Sequence, residues 1–192
     1  MSEPDYQQES EWIRKCQNGE KEAYGYLVRR YMRQAYYAAL ALVGSHPDAL
    51  DLSQEAFVRS YKAIGRFDPA KSFYPWYYRT LKNLCLNFLR DRSHRAVPLS
   101  IVEIDESNEP AETADGADTM IERSEMRKAI WDALWRLEVQ ERELIVARDM
   151  LGTSYEKLAE LMECPLGTVM SRLYHARRKL REELKHTIEW QM

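Results

Sequence analysis

The sequence predicts an all-α protein made of two small helical domains, residues 1–95 and 119–192, joined by an acidic linker over 96–118. Three observations carry this. Apolar residues recur at steps of three and four along most of the chain, the period of helices that bury one face. Gly and Pro fall between those stretches, at Asn18-Gly19, Gly44-Ser45-His46-Pro47, Gly65 and Asp68-Pro69, where they stop or restart helices. From Ala96 to Glu122 there is no Lys, Arg or His, while Glu103, Asp105, Glu106, Glu109, Glu112, Asp115 and Asp118 are acidic. With Pro98, Pro110 and Gly116 and no period of its own, that stretch reads as a linker.

Composition sets the frame. At 192 residues, 45% hydrophobic and 31% charged, the chain is an ordinary soluble globular one. Its net charge of -3 looks wrong for a nucleic-acid binder, yet without the seven linker carboxylates the rest carries +4. Cys16, Cys85 and Cys164 stand alone, which argues against a disulfide framework or a metal site and fits a reducing cytoplasm. The longest apolar run, Ala38 to Val43, is far below the roughly 20 residues of a membrane span, and the acidic N-terminus is not a signal peptide. A cytoplasmic protein without membrane insertion is expected.

In the first domain a short helix is expected over 11–17, then a long one from Lys21 to Val43 with Ala23, Leu27, Tyr31, Ala38 and Leu42 inward. The chain restarts over Asp48 to Ile64, with Leu52, Ala56 and Tyr61 inward. Ser72 is positioned to cap a further helix that runs to about Arg92 and turns Trp76, Thr80, Leu84 and Phe88 to the core. In the second domain, a helix from about Thr119 to Leu137 carries Met126, Ile130, Leu134 and Leu137, with Trp131 and Trp135 alongside. Val139 to Met150 follows, with Leu144, Ile145 and Ala147 as cover.

The last two helices form the most informative stretch. Thr153 and Glu156 fit a capping box, and Leu158, Ala159, Leu161 and Met162 give the short helix that follows one apolar face. Glu163 and Cys164 make a corner, because Pro165 disfavours helix at the residue before it yet suits the first turn of a new one. In that new helix Val169, Leu173, Ala176, Leu180 and Leu184 form the stripe to be buried. At about 100° per residue, Thr168, Ser171, Arg172, His175, Arg178 and Lys179 gather on a polar and basic face away from it. A short helix, a tight turn and a longer helix with such a face has helix-turn-helix geometry, whose second helix enters the major groove of duplex DNA.

Two further faces invite a reading. Asp48, Asp51, Gln54 and Glu55 align at steps of three and four on an acidic, amide-rich face. Phe73 to Asn83 concentrates five aromatics beside Arg79, Lys82 and Asn83, and continues into Asn87, Arg90, Arg92, His94 and Arg95. Rings that stack on unpaired bases, an amide for a base edge and cations along phosphates suit single-stranded nucleic acid. Taken as pattern alone, the first face also suits a solvated surface and the aromatics also suit a core.

The residues now narrow the choice. Gly167-Thr168-Val169-Met170-Ser171-Arg172, followed by Ala176-Arg177, closely resembles the "GTV-x-SR-x-x-x-AR" recognition helix of bacterial sigma factors of the extracytoplasmic-function (ECF) group. The match extends upstream through Leu137, Arg142, Gly152, Tyr155, Leu158 and Ala159. Asp48 to Phe57 is similar to that group's "DAEDLVQEVF" segment, and Trp76 to Asn83 to its "W-L-x-R-I-x-x-N" segment. Tyr77 stands where that group usually has Leu, and Asn87 replaces a common Asp.

The resemblance implies a promoter-recognition factor. By it, Asp48, Asp51, Gln54 and Glu55 dock on core RNA polymerase, and Tyr78, Arg79, Lys82, Asn83, Asn87 and Arg90 engage a melted -10 element. Thr168, Ser171, Arg172, His175, Arg177 and Arg178 meet a duplex -35 element, and an anti-sigma protein is a candidate partner. No nucleophile with its base, Gly-rich phosphate loop or metal-ligand cluster is present in the sequence, so no enzymatic activity, cofactor or metal is expected. The competing reading, a helix-turn-helix regulator that acts without polymerase, leaves the 48–57 and 73–95 stretches without roles. A helical protein-binding adaptor leaves the basic recognition face without one.

Overall fold

The structure, a computed structural model, describes the backbone of residues 3–94 and 117–189 and the side chains of residues 7–92 and 125–185. The side chains of His94 and Arg95 and nearly all of the expected linker lie outside the described residues, which contain no strand. The N-terminal half consists of α1 (Glu3–Gln17), α2 (Lys21–Val43), α3 (His46–Ala63) and α4 (Phe73–His94), with a 3-10 turn at Ile64–Arg66. The C-terminal half consists of α5 (Ala117–Trp135), α6 (Val139–Ile145), α7 (Tyr155–Leu161) and α8 (Leu166–Glu189). A π-helical turn, Val146–Met150, continues α6 and interrupts the single helix expected there.

Polar residues inside the N-terminal half explain why α1 starts well before the expected residue 11. Glu9, 1% exposed, accepts the Tyr31 hydroxyl and the Phe73 N–H at 2.8 Å. It thereby satisfies a donor that the first turn of α4 would leave orphaned, a task that Ser72 was expected to do. Ser10 donates to the Pro69 carbonyl at 2.9 Å, and Gln17 donates to the Ile64 and Phe67 carbonyls at 3.0 and 2.7 Å. The α2 bounds fall as expected, closed by Gly44 at φ +74. Ser45 then caps α3 by accepting from the Asp48 N–H, with Pro47 in the first turn.

The inner face of α4 differs from the expected one. Phe73, Tyr74, Tyr77, Tyr78, Leu81, Leu84 and Cys85 are buried, whereas Trp76, Thr80 and Phe88 are half-buried. Tyr77 stacks on Phe57 with ring centroids 4.3 Å apart and donates to the Ser53 carbonyl at 3.0 Å. The core of this half is therefore an aromatic cluster in offset and edge contacts, shared by α2, α3 and α4. Burial pushes the Cys85 thiol up to about 12.

In the C-terminal half, α5, α6 and α7 cover the α8 stripe, burying Val169, Leu173 and Ala176 and half-burying Leu180 and Leu184. Met126 is exposed; small Ala129 and Ala133 turn inward with Trp131 and Leu134. The α7 cap sits one residue later than expected. Ser154 accepts from the Lys157 N–H at 3.3 Å, while the Thr153 hydroxyl is buried without a hydrogen bond. Glu163 takes φ +50 at the corner, and the Cys164 N–H closes it on the Ala159 carbonyl at 3.1 Å.

The two halves pack on each other, α6 and the π turn against α2, and α7 against α4. One continuous apolar cluster runs through both.

Candidate nucleic-acid and polymerase interfaces

On α8 the helical period does what it promised. With Val169, Leu173 and Ala176 buried, Ser171, Arg172, His175, Arg178 and Lys179 are exposed and Thr168 is half-buried, together on one side. The Arg177 guanidinium lies at the edge, with Nε donating to Asp149 Oδ2 at 2.9 Å and Nη2 to the other oxygen. That carboxylate holds the Arg177 pKa above the ordinary guanidinium range and offsets its charge. Lys179 pairs with Glu141 at 2.5 Å. The outward cations of this face are thus Arg172 in the second turn and, six residues on, Arg178.

On α3, Asp51, Gln54 and Glu55 are exposed and aligned, with Glu55 tied to Arg59 at 2.7 Å. Asp48 is half-buried and pairs with Arg92 at 3.2 Å, so it anchors α3 to α4 as much as it faces solvent. Leu50 and Val58 stand exposed beside Gln54 at steps of four, an apolar margin that the charge pattern alone did not reveal.

On α4, Arg79, Lys82, Asn83, Leu86, Asn87 and Arg90 follow one another at steps of three and four on a single face, where Arg79, Asn83, Asn87 and Arg90 are exposed. The expectation for Tyr78 is corrected. It lies inward with Tyr74, only 3% exposed, and its hydroxyl donates to Glu143 of α6. The rings of Phe73 and Tyr77 are likewise interior. The Lys82 ammonium donates to the same Glu143 carboxylate at 2.8 and 3.1 Å, and Arg79 pairs with Glu163 of the helix-turn-helix corner at 2.8 Å. Sequence reasoning missed Glu143 because charged residues were read as outward. Arg142, Glu143 and Val146 nevertheless share one face by period, are all buried, and belong to the elements that meet the N-terminal half.

Two family models match the chain: Sigma-70 region 2 over residues 27–95 and Sigma-70, region 4 over residues 127–180. The chain is 30% identical to the ECF RNA polymerase sigma-E factor of Haemophilus influenzae, covering 90% of this chain and 93% of the relative. It is 29% identical to the RNA polymerase sigma-H factor of Pseudomonas aeruginosa, covering 93% and 95%. The sigma factor RpoE of Bartonella quintana, solved with the anti-sigma factor NepR, shares the fold with a TM-score of 0.67 at 24% identity, over 84% of this chain and 96% of that one. Among the described residues no cluster of His, Cys, Asp and Glu could hold a metal ion, and no helix is long and apolar enough to cross a membrane.

Proposed function

This chain belongs to the extracytoplasmic-function sigma factors of RNA polymerase, and we propose that its two halves divide promoter recognition between them. As a sigma factor it binds core RNA polymerase and promoter DNA and directs the initiation of transcription. In our reading, residues 1–95 form the domain that docks on the polymerase and handles the -10 element, 96–118 the linker, and 119–192 the domain that meets the -35 duplex. Asp51, Gln54 and Glu55 of α3 carry the docking, with Asp48 at the margin. Arg79, Lys82, Asn83, Asn87 and Arg90 of α4 follow the melted strand. Thr168, Ser171, Arg172, His175 and Arg178 of α8 face the duplex, with Arg177 held at their edge by Asp149.

The observation that carries this division is a basic face in each half, on α4 and on α8, each standing on a buried stripe of its own helix. An anti-sigma protein is a partner in this reading, supported by the complex in which the Bartonella quintana protein was solved. Bond-making belongs to the polymerase, and the protein works in the cytoplasm.

Asp51→Ala with Gln54→Ala weakens association with core polymerase at unchanged thermal stability, measured by pull-down. Unchanged affinity would remove α3 from the interface and revive a regulator that acts without polymerase. Asn83→Ala slows promoter opening more than it weakens duplex binding, and equal permanganate reactivity in variant and parent would assign strand capture elsewhere.

A further inference from the structure

We propose that Met170 and Tyr174 of α8 read the C5-methyl groups of thymine in the -35 duplex, so that the element this chain prefers carries thymines close together under these two residues. This rests on the reading of α8 as the helix that meets the duplex.

The outward side of α8 is mixed in a way that phosphate contacts alone do not explain. Leu166, Met170 and Tyr174 follow one another at steps of four and are 42%, 51% and 66% exposed. Tyr174 is the most exposed large apolar side chain among the described residues. Single apolar residues are common on any surface, whereas three in register on one helix form a row. Around the helix, Tyr174 lies between Met170 and Ser171, and Arg178 lies beside Ser171. A duplex that meets Ser171 and Arg178 therefore meets the row as well.

The outermost positions at the start of α8 are small. Gly167 and Ser171 are exposed, and a Cβ at Gly167 would meet nothing within 4 Å, so no packing inside the protein calls for glycine there. Glycine is poorly suited to a helix, and what it provides is close approach of the backbone to whatever lies outside. With the backbone close to the groove floor, the longer side chains on either side of Gly167 and Ser171 reach base edges.

On one side these are polar or basic, Thr168, Arg172 and His175. On the other they are Met170 and Tyr174. Arg177 shares that second side but is held by both oxygens of Asp149, and the next exposed cation there, Arg181, comes two turns beyond Tyr174. A flank that is apolar and offset in charge gains little from phosphate. The apolar group that base edges offer in the major groove is the thymine methyl. Met170 and Tyr174 stand about 6 Å apart along the helix, a reach of roughly one or two base pairs.

The test uses holoenzyme reconstituted from the full chain and core polymerase. Selection from promoter-length random duplexes should enrich thymines roughly one or two base pairs apart in the -35 element. Met170→Lys should replace one of them by guanine, whose edge offers two acceptors to a cation. In the selected duplex, uracil in place of thymine removes the methyl and nothing else. At two positions this should weaken binding by the parent about fourfold, the worth of one buried methyl. The loss should vanish at one position in Met170→Ala and at the other in Tyr174→Ala. Selected elements without thymine, uracil that costs nothing, or losses that persist in both variants would overturn the methyl reading and leave α8 on the duplex. Met170→Ala with Tyr174→Ala that lowers core affinity at unchanged selection would also overturn it and make the row a polymerase contact. Selection unchanged by Ser171→Ala with Arg172→Ala would instead take α8 off the duplex, and the methyl reading with it.

Discussion

The α8 and α4 faces have much the same composition, cations and small polar groups at helical steps, yet α8 is open and α4 is partly covered. The difference lies in where the balancing carboxylates come from. Around α8 they are supplied within the same half, by Asp149 to Arg177 and by Glu141 to Lys179, at the edge of the face. Around α4 they come from the other half, Glu143 to Lys82 and Glu163 to Arg79. Edge pairs leave a recognition helix accessible and orient what remains. Pairs across an interface make accessibility depend on how the halves sit. A basic face read from sequence therefore shows what a surface can bind, while the ion pairs show when it is free to do so.

The interiors beneath the two faces differ as well, and this gives the largest expected effect. Tyr77 lies under the α4 face in the aromatic cluster, and Leu173 lies under the α8 face in an aliphatic stripe. Tyr77→Ala should cost about 3–5 kcal/mol, by analogy with buried Phe truncations, and Leu173→Ala about 2–5 kcal/mol. Because one apolar cluster spans both halves, both variants should lower the same calorimetric transition. If each lowered a different transition, the halves would be separate folding units, and the contrast between edge pairs and interface pairs would lose its basis.

A smaller effect tests how α7 is positioned, the helix that brings Glu163 to Arg79 on one side and covers α8 on the other. Ser154→Ala should lose the N-terminal cap and cost about 1 kcal/mol. Thr153→Val replaces a buried hydroxyl that has no partner by a group of the same shape, and should hold stability level or raise it. Urea midpoints at equal slope decide between them. A loss at Thr153 with none at Ser154 would return the cap to Thr153.

That pair of neighbours also shows how far the sequence could be read. Thr153-x-x-Glu156 is the stronger capping pattern, but the Thr153 N–H is taken by the Ala147 carbonyl of the π turn, which fixes its backbone and turns its hydroxyl inward. The bounds of α2, the helix-turn-helix and the exposed alignment of Asp51 and Gln54 were legible because each depends on local signals, a glycine stop, a proline restart or a helical step. The inner face of α4 was not. Apolar residues at 73, 74, 77, 78, 81, 84, 85, 88 and 89 cover more than half of that helix, and the stripe through Trp76, Thr80, Leu84 and Phe88 runs along the margin of that broad face rather than its centre. Met126 outranks Ala129 and Ala133 in hydropathy, yet the small residues allow close approach and Met126 ends exposed. Glu9, Arg142 and Glu143 were hidden for one common reason. A charged side chain is read as solvated unless its partner is known, and each partner lies far along the chain.

The smallest effect sharpens the description of the open face. His175 is exposed on α8, one turn beyond Arg172, with its ring edge-on to Tyr174 at a centroid distance of 5.4 Å. The resemblance implies an Arg where His175 stands and a basic residue where Met170 stands, so this helix lacks up to two cationic contacts that the resemblance would supply. Arg177, held by Asp149, does not make up the difference. Each phosphate neutralised releases condensed counterions, so a cation added at a contacting position steepens the plot of log affinity against log salt by roughly 1. His175→Arg on the full chain should therefore raise duplex affinity a few-fold at low salt and steepen that plot by about one unit, with the gain fading as salt rises. The same substitution should leave single-strand binding unchanged, because His175 lies on α8 and the strand face on α4. Titrations of duplex and of single strand at several salt concentrations separate the two. Parallel duplex plots for variant and parent would mean that His175 does not meet phosphate, and the recognition face would have to be redrawn around Arg172 and Ser171 toward the N-terminus of α8.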